Sequence, residues 1–237
     1  MVEYRRPRHR KVARVLDALD AAVLARTHCC FGGGTRIALE LDEYRESEDI
    51  DFICSDLAGY RALRGTIENR SLGILRPKLP AGVSLLRDVR ADQYGIRTVF
   101  GVDGDPVKFE IILEARIQVT AANVKNIPVP VLNRISCFAE KWLANADRWN
   151  DSAVLSRDAF DLAFMLRAWD IDEARAGADL AAGAYGDAVR CAARGASTKL
   201  LEDAKYRKHC ARNLCIADSK SLVPGLKKLA KVAKDLP

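Results

Sequence analysis

The sequence predicts an α+β protein in which a mixed α/β N-terminal half precedes an all-α C-terminal half. Alternating apolar segments, typical of β-strands, end near residue 113, whereas apolar residues beyond residue 130 recur at helical spacing. Pro128 and Pro130 interrupt both patterns between the halves. A chain of 237 residues can form one large domain or two modest ones. We therefore predict one domain over residues 1–130 and a second over residues 131–237.

The first elements of the N-terminal half follow from apolar periodicity and from glycine. Residues 11–27 carry apolar side chains at helical spacing and predict an amphipathic helix. The apolar run at residues 28–31 predicts a buried strand, which three glycines at residues 32–34 bring to an end. Threonine is a residue type that caps helices, so we expect Thr35 to begin a helix that continues to about residue 41.

Alternation of apolar and polar residues predicts the remaining strands of this half. Strands are predicted at residues 48–54, 83–89, 94–102 and 107–113, with a helix at residues 57–69. An Asp-Gly pair lies within residues 103–106, and this pair is typical of a hairpin turn.

Charge is unevenly distributed along the chain. The sequence has 38 Lys and Arg against 32 Asp and Glu, a formal net charge of +6. Residues 1–14 contain six basic side chains and residues 220–237 contain five, with one acid in each segment. We therefore predict a basic N-terminal arm and a basic amphipathic helix near the C-terminus. An anionic partner such as RNA fits both ends, while a solvated helix face also explains the second.

Composition excludes several classes of protein. No run of about eighteen apolar residues occurs, so we expect no transmembrane helix and no membrane partner. No apolar stretch follows the charged start, which argues against a secretory signal. The seven cysteines form no C-x-x-C pair and the chain has three histidines, so a structural zinc site is not expected. Reduced thiols in a cytoplasmic protein are the simplest expectation.

A pair of glycines at a predicted helix start is the first pattern that carries chemistry. Gly33 and Gly34 leave backbone N–H groups open to an anion, and the helix dipole favours negative charge at that end. The same glycines would also serve in a simple turn, so this pattern alone does not define a phosphate site.

Acidic residues on two predicted strands form the second pattern. Asp49 and Asp51 share one face of a strand, where their repulsion favours a bound cation; a solvated edge strand is the alternative. Glu110 lies inside an otherwise apolar strand, and Glu114 follows at its end. Either glutamate would complete a three-carboxylate site for two Mg²⁺ ions. For Glu110 the alternative is an ion pair with Lys108.

A third group lies in the helical half. Lys141 falls inside an apolar helix, where an ammonium group needs an anionic partner such as Asp158 or a phosphate. Ser156 is expected to cap the next helix and to place Asp158 in its first turn, on one face with Asp161. A structural pair of Lys141 and Asp158 joining two helices is the alternative to a phosphate-binding lysine.

The order of these patterns resembles that of the DNA polymerase β-like nucleotidyltransferases. One branch of them, the AbiEii/AbiGii abortive-infection toxins, is similar in F-G-G-G-T at residues 31–35 and S-E-D-I-D-F at residues 47–52. The same family's A-E-K and R-D-x-[YF]-D-L signatures are similar to residues 139–141 and 157–162. The resemblance covers about residues 12–168.

The resemblance implies a polymerase β-like domain over residues 1–130 and a helical domain that completes the nucleotide site. It implies transfer of a nucleoside monophosphate from an NTP to RNA, with the tRNA 3′ end foremost, and a cognate antitoxin protein. Mg²⁺ or Mn²⁺ would be held by Asp49, Asp51 and Glu110. The NTP would be bound by Gly33, Gly34, Thr35, Ser47 and Lys141, with Asp158 as a companion active-site residue.

Two other functions remain open at this stage. The acceptor hydroxyl could belong to a small molecule or to a protein rather than to RNA. Alternatively, the chain could bind nucleotide or RNA as a regulator without catalysis. The presence of all three carboxylates together with Lys141 favours an enzyme.

Overall fold

The computed structural model describes residues 4–67, 71–217, 220 and 222–236. The chain forms two units: unit 1 contains residues 1–43 and 47–133, and unit 2 contains residues 44–46 and 134–237. The division at Asn133 lies three residues beyond the predicted boundary. The membership of Tyr44–Glu46 in unit 2 was not predicted, because nothing in the local sequence marks three residues that leave one unit for the other.

In the part of the chain that the structure describes, unit 1 is built on a mixed sheet of eight strands. Its strands are β1 (Cys29–Phe31), β2 (Ile50–Cys54), β3 (Val83–Leu85), β4 (Arg90–Ala91), β5 (Gly95–Val102), β6 (Asp105–Leu113), β7 (Ala121–Ala122) and β8 (Val131–Leu132). The strand order is β3-β5-β6-β2-β1-β8-β7, with β4 paired to β5. β2 runs parallel to β6 and β1 runs parallel to β8, while the other pairs are antiparallel.

A row of phenylalanines crosses one face of this sheet. Phe31, Phe52 and Phe109 lie on neighbouring strands, with successive ring centroids 5.6 Å apart, and Phe100 follows at 5.4 Å from Phe109. All four rings are buried. Since successive residues of a strand point to opposite faces, Asp51 lies on the face opposite this core.

Among the described residues of unit 1, four helices accompany the sheet: α1 (Pro7–Asp17), α2 (Ala21–Arg26), α3 (Gly33–Glu40) and α4 (Leu57–Gly65). The prediction of one helix over residues 11–27 is wrong. The chain leaves the helix at Ala18, Leu19 bridges to Leu75, and the Asp20 carboxylate accepts the N–H of Ala22 to begin α2. The break depends on a partner 56 residues away in the chain, which helical periodicity does not report.

Other predicted boundaries also shifted. Helix α3 begins at Gly33 with Gly32 as its N-cap, so Thr35 lies in the first turn and is not the cap. Asp103 and Gly104 alone form the hairpin turn, both with positive φ, and β6 already begins at Asp105. The strand predicted at residues 83–89 contains only β3, and the last predicted residues of the helix at 57–69 lie partly outside the described residues.

The basic residues near the N-terminus belong to α1 and its start rather than to a separate arm. The Glu43 carboxylate accepts the backbone N–H groups of Arg5 and Arg6 at 2.7 and 2.9 Å. Arg8 pairs with Glu48 at 2.5 Å, and Lys11 pairs with Asp105. Arg5 and Arg14 form ion pairs with Asp42 and Asp103, so acids of unit 1 compensate most of these charges through tertiary contacts that the charge count could not show.

Unit 2 is helical, which confirms the predicted fold class. It contains α5 (Arg134–Arg148), a 3₁₀ turn (Ser152–Val154), α6 (Arg157–Ala168), α7 (Ile171–Tyr185), α8 (Ala188–Glu202), α9 (Ala204–Asn213) and α10 (Leu222–Asp235). Helix α5 packs against α6, α7 and α8, and α10 packs against α6 and α8. Helix α10 buries Leu222, Leu226, Leu229, Val232 and Ala233 and exposes Lys227, Lys231 and Lys234.

Within the described residues, no helix has the length and apolar character needed to cross a bilayer. All seven cysteines are free thiols.

Candidate active site

Two acidic side chains of unit 1 lie side by side on neighbouring strands. Asp51 on β2 is the register partner of Glu110 on the parallel strand β6. Adjacent strands lie about 4.8 Å apart, so the two carboxylates share one face of the sheet. Asp49 directly precedes β2 and is half-buried. The structure therefore brings Asp51 and Glu110 together, with Asp49 two residues before Asp51.

Glu110 has a cationic partner that was not predicted. Its Oε1 lies 2.5 Å from Nε of Arg97, its register partner on the antiparallel strand β5. This ion pair replaces the pair with Lys108 that had been considered. Both side chains are partly exposed, so the pair contributes little to stability, and Arg97 is able to move away.

Glu114 is placed differently from Glu110. It lies beyond the end of β6, about 13 Å along the strand from Glu110 at 3.3 Å per residue. Its buried carboxylate accepts the backbone N–H of Arg116 at 2.6 Å and forms an ion pair with the guanidinium group of the same residue. Burial opposes ionisation, but the hydrogen bonds from Arg116 outweigh it and lower the pKa of Glu114. The Glu114 carboxylate is therefore held by Arg116 through a hydrogen bond and an ion pair.

The donor chemistry fits a divalent cation, although the ligands are not preassembled. In the described part of the chain, no three Asp, Glu, His or Cys side chains are gathered closely enough to hold a metal ion. Asp49, Asp51 and Glu110 supply the carboxylate oxygens that Mg²⁺ prefers. A bound cation would compete with Arg97 for the Glu110 carboxylate.

The glycine turn lies directly against the Asp51 carboxylate. Gly33 has φ +67°, and a Cβ at this position would stand 2.4 Å from Asp51 Oδ2. The N–H of Gly32 donates to the Asp51 carbonyl oxygen at 2.8 Å. Only glycine allows this approach, because a side chain would overlap the carboxylate and strain the backbone.

Two hydroxyl groups hold the segment before Asp49. Thr35 Oγ1 donates to the Asp49 carbonyl oxygen at 2.5 Å and lies 2.8 Å from Ser47 Oγ. Because the single Thr35 proton is given to Asp49, the Ser47 hydroxyl is the donor in the second bond. These two residues were predicted to bind the NTP; in the structure their hydroxyls connect α3 to the start of β2.

A buried histidine that the sequence analysis missed fixes the same segment. His9 Nδ1 lies 2.8 Å from Glu43 Oε1, and His9 Nε2 accepts the backbone N–H of Ser47 at 3.2 Å. His9 is therefore the neutral tautomer that donates from Nδ1. Burial raises the pKa of Glu43, but the N–H groups of Arg6 and Arg5 lower it further than burial raises it. A lone histidine in a basic helix carried no signal of this role.

A cavity of about 340 Å³ opens beside Asp49. Its lining includes Arg8, Lys11, Glu48, Asp49, Asp105 and Lys108. The cavity gives solvent and small ligands access to the start of β2.

Unit 2 contains a separate buried ion cluster around Lys141. The Lys141 ammonium lies 2.9 Å from Asp158 Oδ1 and 2.6 Å from Asp161 Oδ2. Arg148 Nε donates to Asp158 Oδ2 at 2.7 Å, and Arg45 Nε donates to Asp161 Oδ1 at 2.7 Å. Lys141 and both carboxylates are buried, whereas the Arg148 side chain is 34% exposed.

Electrostatics keep every member of this cluster charged. Burial opposes ionisation of Asp158, but Lys141 and Arg148 hold its pKa well below its usual value. Burial would also lower the pKa of Lys141, yet Asp158 and Asp161 raise it. Asp158 and Asp161 are shared among three cations, Lys141, Arg148 and Arg45, and Asp147 also acts on Arg148.

Part of this cluster could have been found from the sequence. Arg148 lies seven residues after Lys141 on α5, so the two side chains share a helix face. Arg45 carried no such signal, since it is 116 residues from Asp161 in the chain. Ser156 is the N-cap of α6, but its hydroxyl pairs with Tyr206 at 3.0 Å instead of capping the helix.

Solved structures share the fold of this chain. A protein from H. pylori described as a putative nucleotidyltransferase is similar over 98% of this chain and 95% of its own, with 16% identity and a TM-score of 0.57. JHP933 from Helicobacter pylori covers 95% of this chain and 89% of its own, with 18% identity and a TM-score of 0.53. MenT4, a nucleotidyltransferase toxin from Mycobacterium tuberculosis, covers 98% of this chain and 87% of its own, with 14% identity and a TM-score of 0.52. The chain thus has a nucleotidyltransferase fold.

The family follows from the sequence itself. The model of the nucleotidyl transferase AbiEii toxin family, a type IV toxin–antitoxin system, matches residues 14–214. The protein belongs to this family of nucleotidyltransferases, as the resemblance had implied. The comparison with curated protein sequences gives no match.

Proposed function

We propose that this protein transfers a nucleoside monophosphate from an NTP to a hydroxyl group of RNA, at the 3′ end of tRNA. The acceptor oxygen attacks the α-phosphorus and forms a new P–O bond. The bond from that phosphorus to the bridging oxygen of the β-phosphate breaks, and pyrophosphate leaves with the bonding electrons. We assign the acceptor proton to the Glu110 carboxylate. A cognate antitoxin would relieve the resulting growth arrest.

One observation carries this proposal: Asp51 and Glu110 are register partners at the point where Gly33 approaches the same Asp51 carboxylate. Carboxylates on adjacent strands beside an open glycine backbone suit a metal-bound triphosphate. When bound, Mg²⁺ or Mn²⁺ would neutralise the phosphates and activate the acceptor oxygen. Asp49, Asp51 and Glu110 would hold the metal ions, and Arg97 would release Glu110 for this purpose.

The remaining roles follow from charge and hydrogen bonding. Gly33 and Gly34 offer backbone N–H groups to the triphosphate. Thr35 and Ser47 support NTP binding by holding the segment that leads into Asp49. Lys141 neutralises the triphosphate, and Asp158 orients Lys141 through their 2.9 Å ion pair. The partly exposed Arg148 beside Asp158 supports this role, because it keeps a second cation next to Lys141 at the surface of unit 2.

The reaction is tested by supplying the purified protein with each NTP, labelled at its α-phosphate, together with Mg²⁺ and total RNA. We expect one or more NTPs to label RNA of tRNA size, and the label to survive until the RNA is digested. The Asp51→Asn variant is the control, because it keeps the shape of the side chain and removes its charge. Equal labelling by Asp51→Asn would contradict the metal-ligand role.

The acceptor is tested in the same reaction. If label appears only on a small molecule or only on a protein, that molecule and not RNA is the acceptor. No label from any NTP with Mg²⁺ or Mn²⁺ would favour a regulator that binds nucleotide or RNA without catalysis. Both substrates of the proposed reaction are cytoplasmic, and seven free cysteines agree with a reducing compartment.

A further inference from the structure

Helix α9 of unit 2 has an unusual charge composition. Its ten residues, Ala204–Asn213, include five basic or titratable basic side chains and no acid. These side chains are Lys205, Arg207, Lys208, His209 and Arg212. The nearest acid, Asp203, precedes the helix, and its carboxylate accepts the N–H of Tyr206 at 2.8 Å as the N-cap. Neither the predicted active site nor the basic chain ends account for this helix.

The basic side chains of α9 are divided between two directions. Cys210 and Ala211 are buried, and Arg207 donates to the Leu200 carbonyl oxygen of α8 at 2.6 Å. Lys205, Lys208 and Arg212 are exposed. At 3.6 residues per turn these three lie within about 60° around the helix axis. We call these three residues the α9 stripe.

The α9 stripe differs from the N-terminal basic residues in its partners. Arg8, Lys11 and Arg14 each form an ion pair with an acid of unit 1. Lys205, Lys208 and Arg212 form no ion pair with any residue in the described parts of the chain. Their positive charge is therefore available to a ligand from solution.

Both ends of α9 are attached close to the Lys141 cluster. Near its start, Tyr206 is hydrogen-bonded to Ser156, which lies two residues before Asp158. Just after its end, the Leu214 carbonyl oxygen accepts the N–H of Glu46 at 3.1 Å, next to Arg45. All of these residues belong to unit 2. Helix α9, which carries the α9 stripe on its exposed side, is thus attached at both ends to segments next to the cluster that we assign to phosphate binding.

We propose that the α9 stripe binds the phosphate backbone of the RNA acceptor, an inference that rests on the proposed function. A nucleic-acid interface is polar and positively charged. A protein interface needs an apolar or aromatic centre, and membrane insertion needs apolar side chains. The exposed large apolar residues in the described chain are Leu57, Leu86, Tyr94 and Leu180, and none of them lies on α9. The composition of this surface therefore favours RNA over an acidic protein or a lipid surface.

Helix α10 offers a matched control within the same unit. Lys227, Lys231 and Lys234 are also exposed and also lie within about 60° around their helix. Lys228 of this helix is bonded to the Leu166 carbonyl oxygen, near the end of α6 that is opposite Asp158. Replacing either set by glutamine removes three positive charges at exposed positions, but only the α9 set belongs to a helix attached next to the Lys141 cluster.

The test measures the affinity of the full chain for a fluorescein-labelled oligouridylate at several salt concentrations, without NTP or metal. Three phosphate contacts contribute about −2 to the slope of log affinity against log salt. We expect the K205Q/K208Q/R212Q variant to lose this part of the slope. If the plots of log affinity against log salt for the wild type and this variant meet at 1 M salt, the affinity of the variant would be about 100-fold lower at 0.1 M salt. The K227Q/K231Q/K234Q variant should bind as the wild type does, and Arg212→Lys should retain the slope.

Three results would overturn the inference. The first is an unchanged salt slope in the α9 variant, and the second is an equal loss of slope in the α10 variant. The third is an α9 variant that binds RNA as the wild type does but loses affinity for polyglutamate. The last result would assign the surface to an acidic protein. Thermal unfolding of each variant confirms that the fold is retained, since all six side chains are exposed. The binding assay omits NTP, so a chain that binds RNA through α9 yet labels no RNA would contradict only the proposed function.

Discussion

Asp51 and Gly33 are in direct contact: a Cβ added to Gly33 would stand 2.4 Å from the Asp51 carboxylate oxygen. The two residues come from different patterns in the sequence, the glycine turn and the acidic strand. Their contact makes the glycine turn and the carboxylates one structural feature of unit 1. It also explains why glycine is required at position 33, where φ is +67°.

Substituting Gly33 therefore tests this contact. We expect Gly33→Ala to be destabilised by about 1–2 kcal/mol from the left-handed backbone alone, and to lose transfer activity because Asp51 is displaced. Gly65→Ala is the control, since a Cβ there meets nothing within 4 Å. Thermal unfolding and labelling of RNA are measured on both. Full activity in Gly33→Ala would show that the position of Asp51 does not depend on this glycine.

Glu110 and Glu114 are the two candidates for the third carboxylate of the active site, and the same substitution at each position distinguishes them. We expect Glu110→Gln to lower the transfer rate by about 10²-fold or more, as expected for a general base. Its stability should change by less than about 1 kcal/mol, because the Arg97 pair is partly exposed. Glu114→Gln should lose about 1–3 kcal/mol of stability and keep its activity per folded molecule. The opposite pattern would make Glu114 the active acid.

His9 is expected to position Asp49 through Ser47 and Thr35. His9→Phe fills the same space but leaves Glu43 and the Ser47 N–H without their partner, at a cost of about 1–3 kcal/mol. We also expect a lower kcat and weaker Mn²⁺ binding. His9→Gln retains a donor and an acceptor and should restore both in part.

The exposed His28 provides the matched control for His9, and His28→Gln should behave as the wild type. A His9→Phe protein with reduced stability but unchanged kcat and Mn²⁺ affinity would limit His9 to a structural role.

Comparing variants of Lys141 and Arg45 distinguishes a role in phosphate binding from a structural role. Each contacts Asp161, but Lys141 also contacts Asp158. Removing either cation leaves a buried carboxylate less compensated, so Lys141→Gln and Arg45→Gln should each cost about 3–5 kcal/mol. Only Lys141→Gln should raise KM for the NTP and lower turnover per folded molecule. Equal kinetics in the two variants would reduce Lys141 to a structural residue.

The stability of unit 2 should depend on pH at both extremes. Lys141 and its neighbours lower the pKa of Asp158 and Asp161 in the folded state. The two carboxylates thus contribute to the free energy of unfolding at pH values above the pKa of Asp in the unfolded chain, about 3.9, and this contribution is lost as the pH falls below that value. The pKa of Lys141 is raised, so its contribution is complete below about 10.4 and is lost at higher pH.

This dependence is measured by denaturant unfolding followed through tryptophan fluorescence. All three tryptophans, Trp142, Trp149 and Trp169, lie in unit 2 and report on it. The Asp161→Asn variant should show a smaller loss of stability on acidification than the wild type. Identical acid dependence in the two proteins would contradict the assigned shift for Asp161.

Local patterns in the sequence determined the class of fold and most of its elements. Apolar periodicity predicted the helices of unit 2 and the strands β2, β5 and β6, because side-chain burial imposes a period of 3.6 or 2 on neighbouring residues. The spacing of the glycines and acids, with the signatures around Lys141 and Asp158, identified the AbiEii family. The short strands β4, β7 and β8 escaped prediction, since two residues show no period.

The partners of the functional side chains were decided only by the tertiary structure. Glu110 meets Arg97 because β5 and β6 pair in one register, and a shift of one residue would turn Glu110 to the other face. Arg45 reaches Asp161 because three residues of the chain pass into unit 2. His9 of α1 meets the backbone N–H of Ser47, which lies 38 residues further along the chain, just before β2. Such contacts join residues far apart in sequence, where strand register and chain crossing determine the partner and no local period records it.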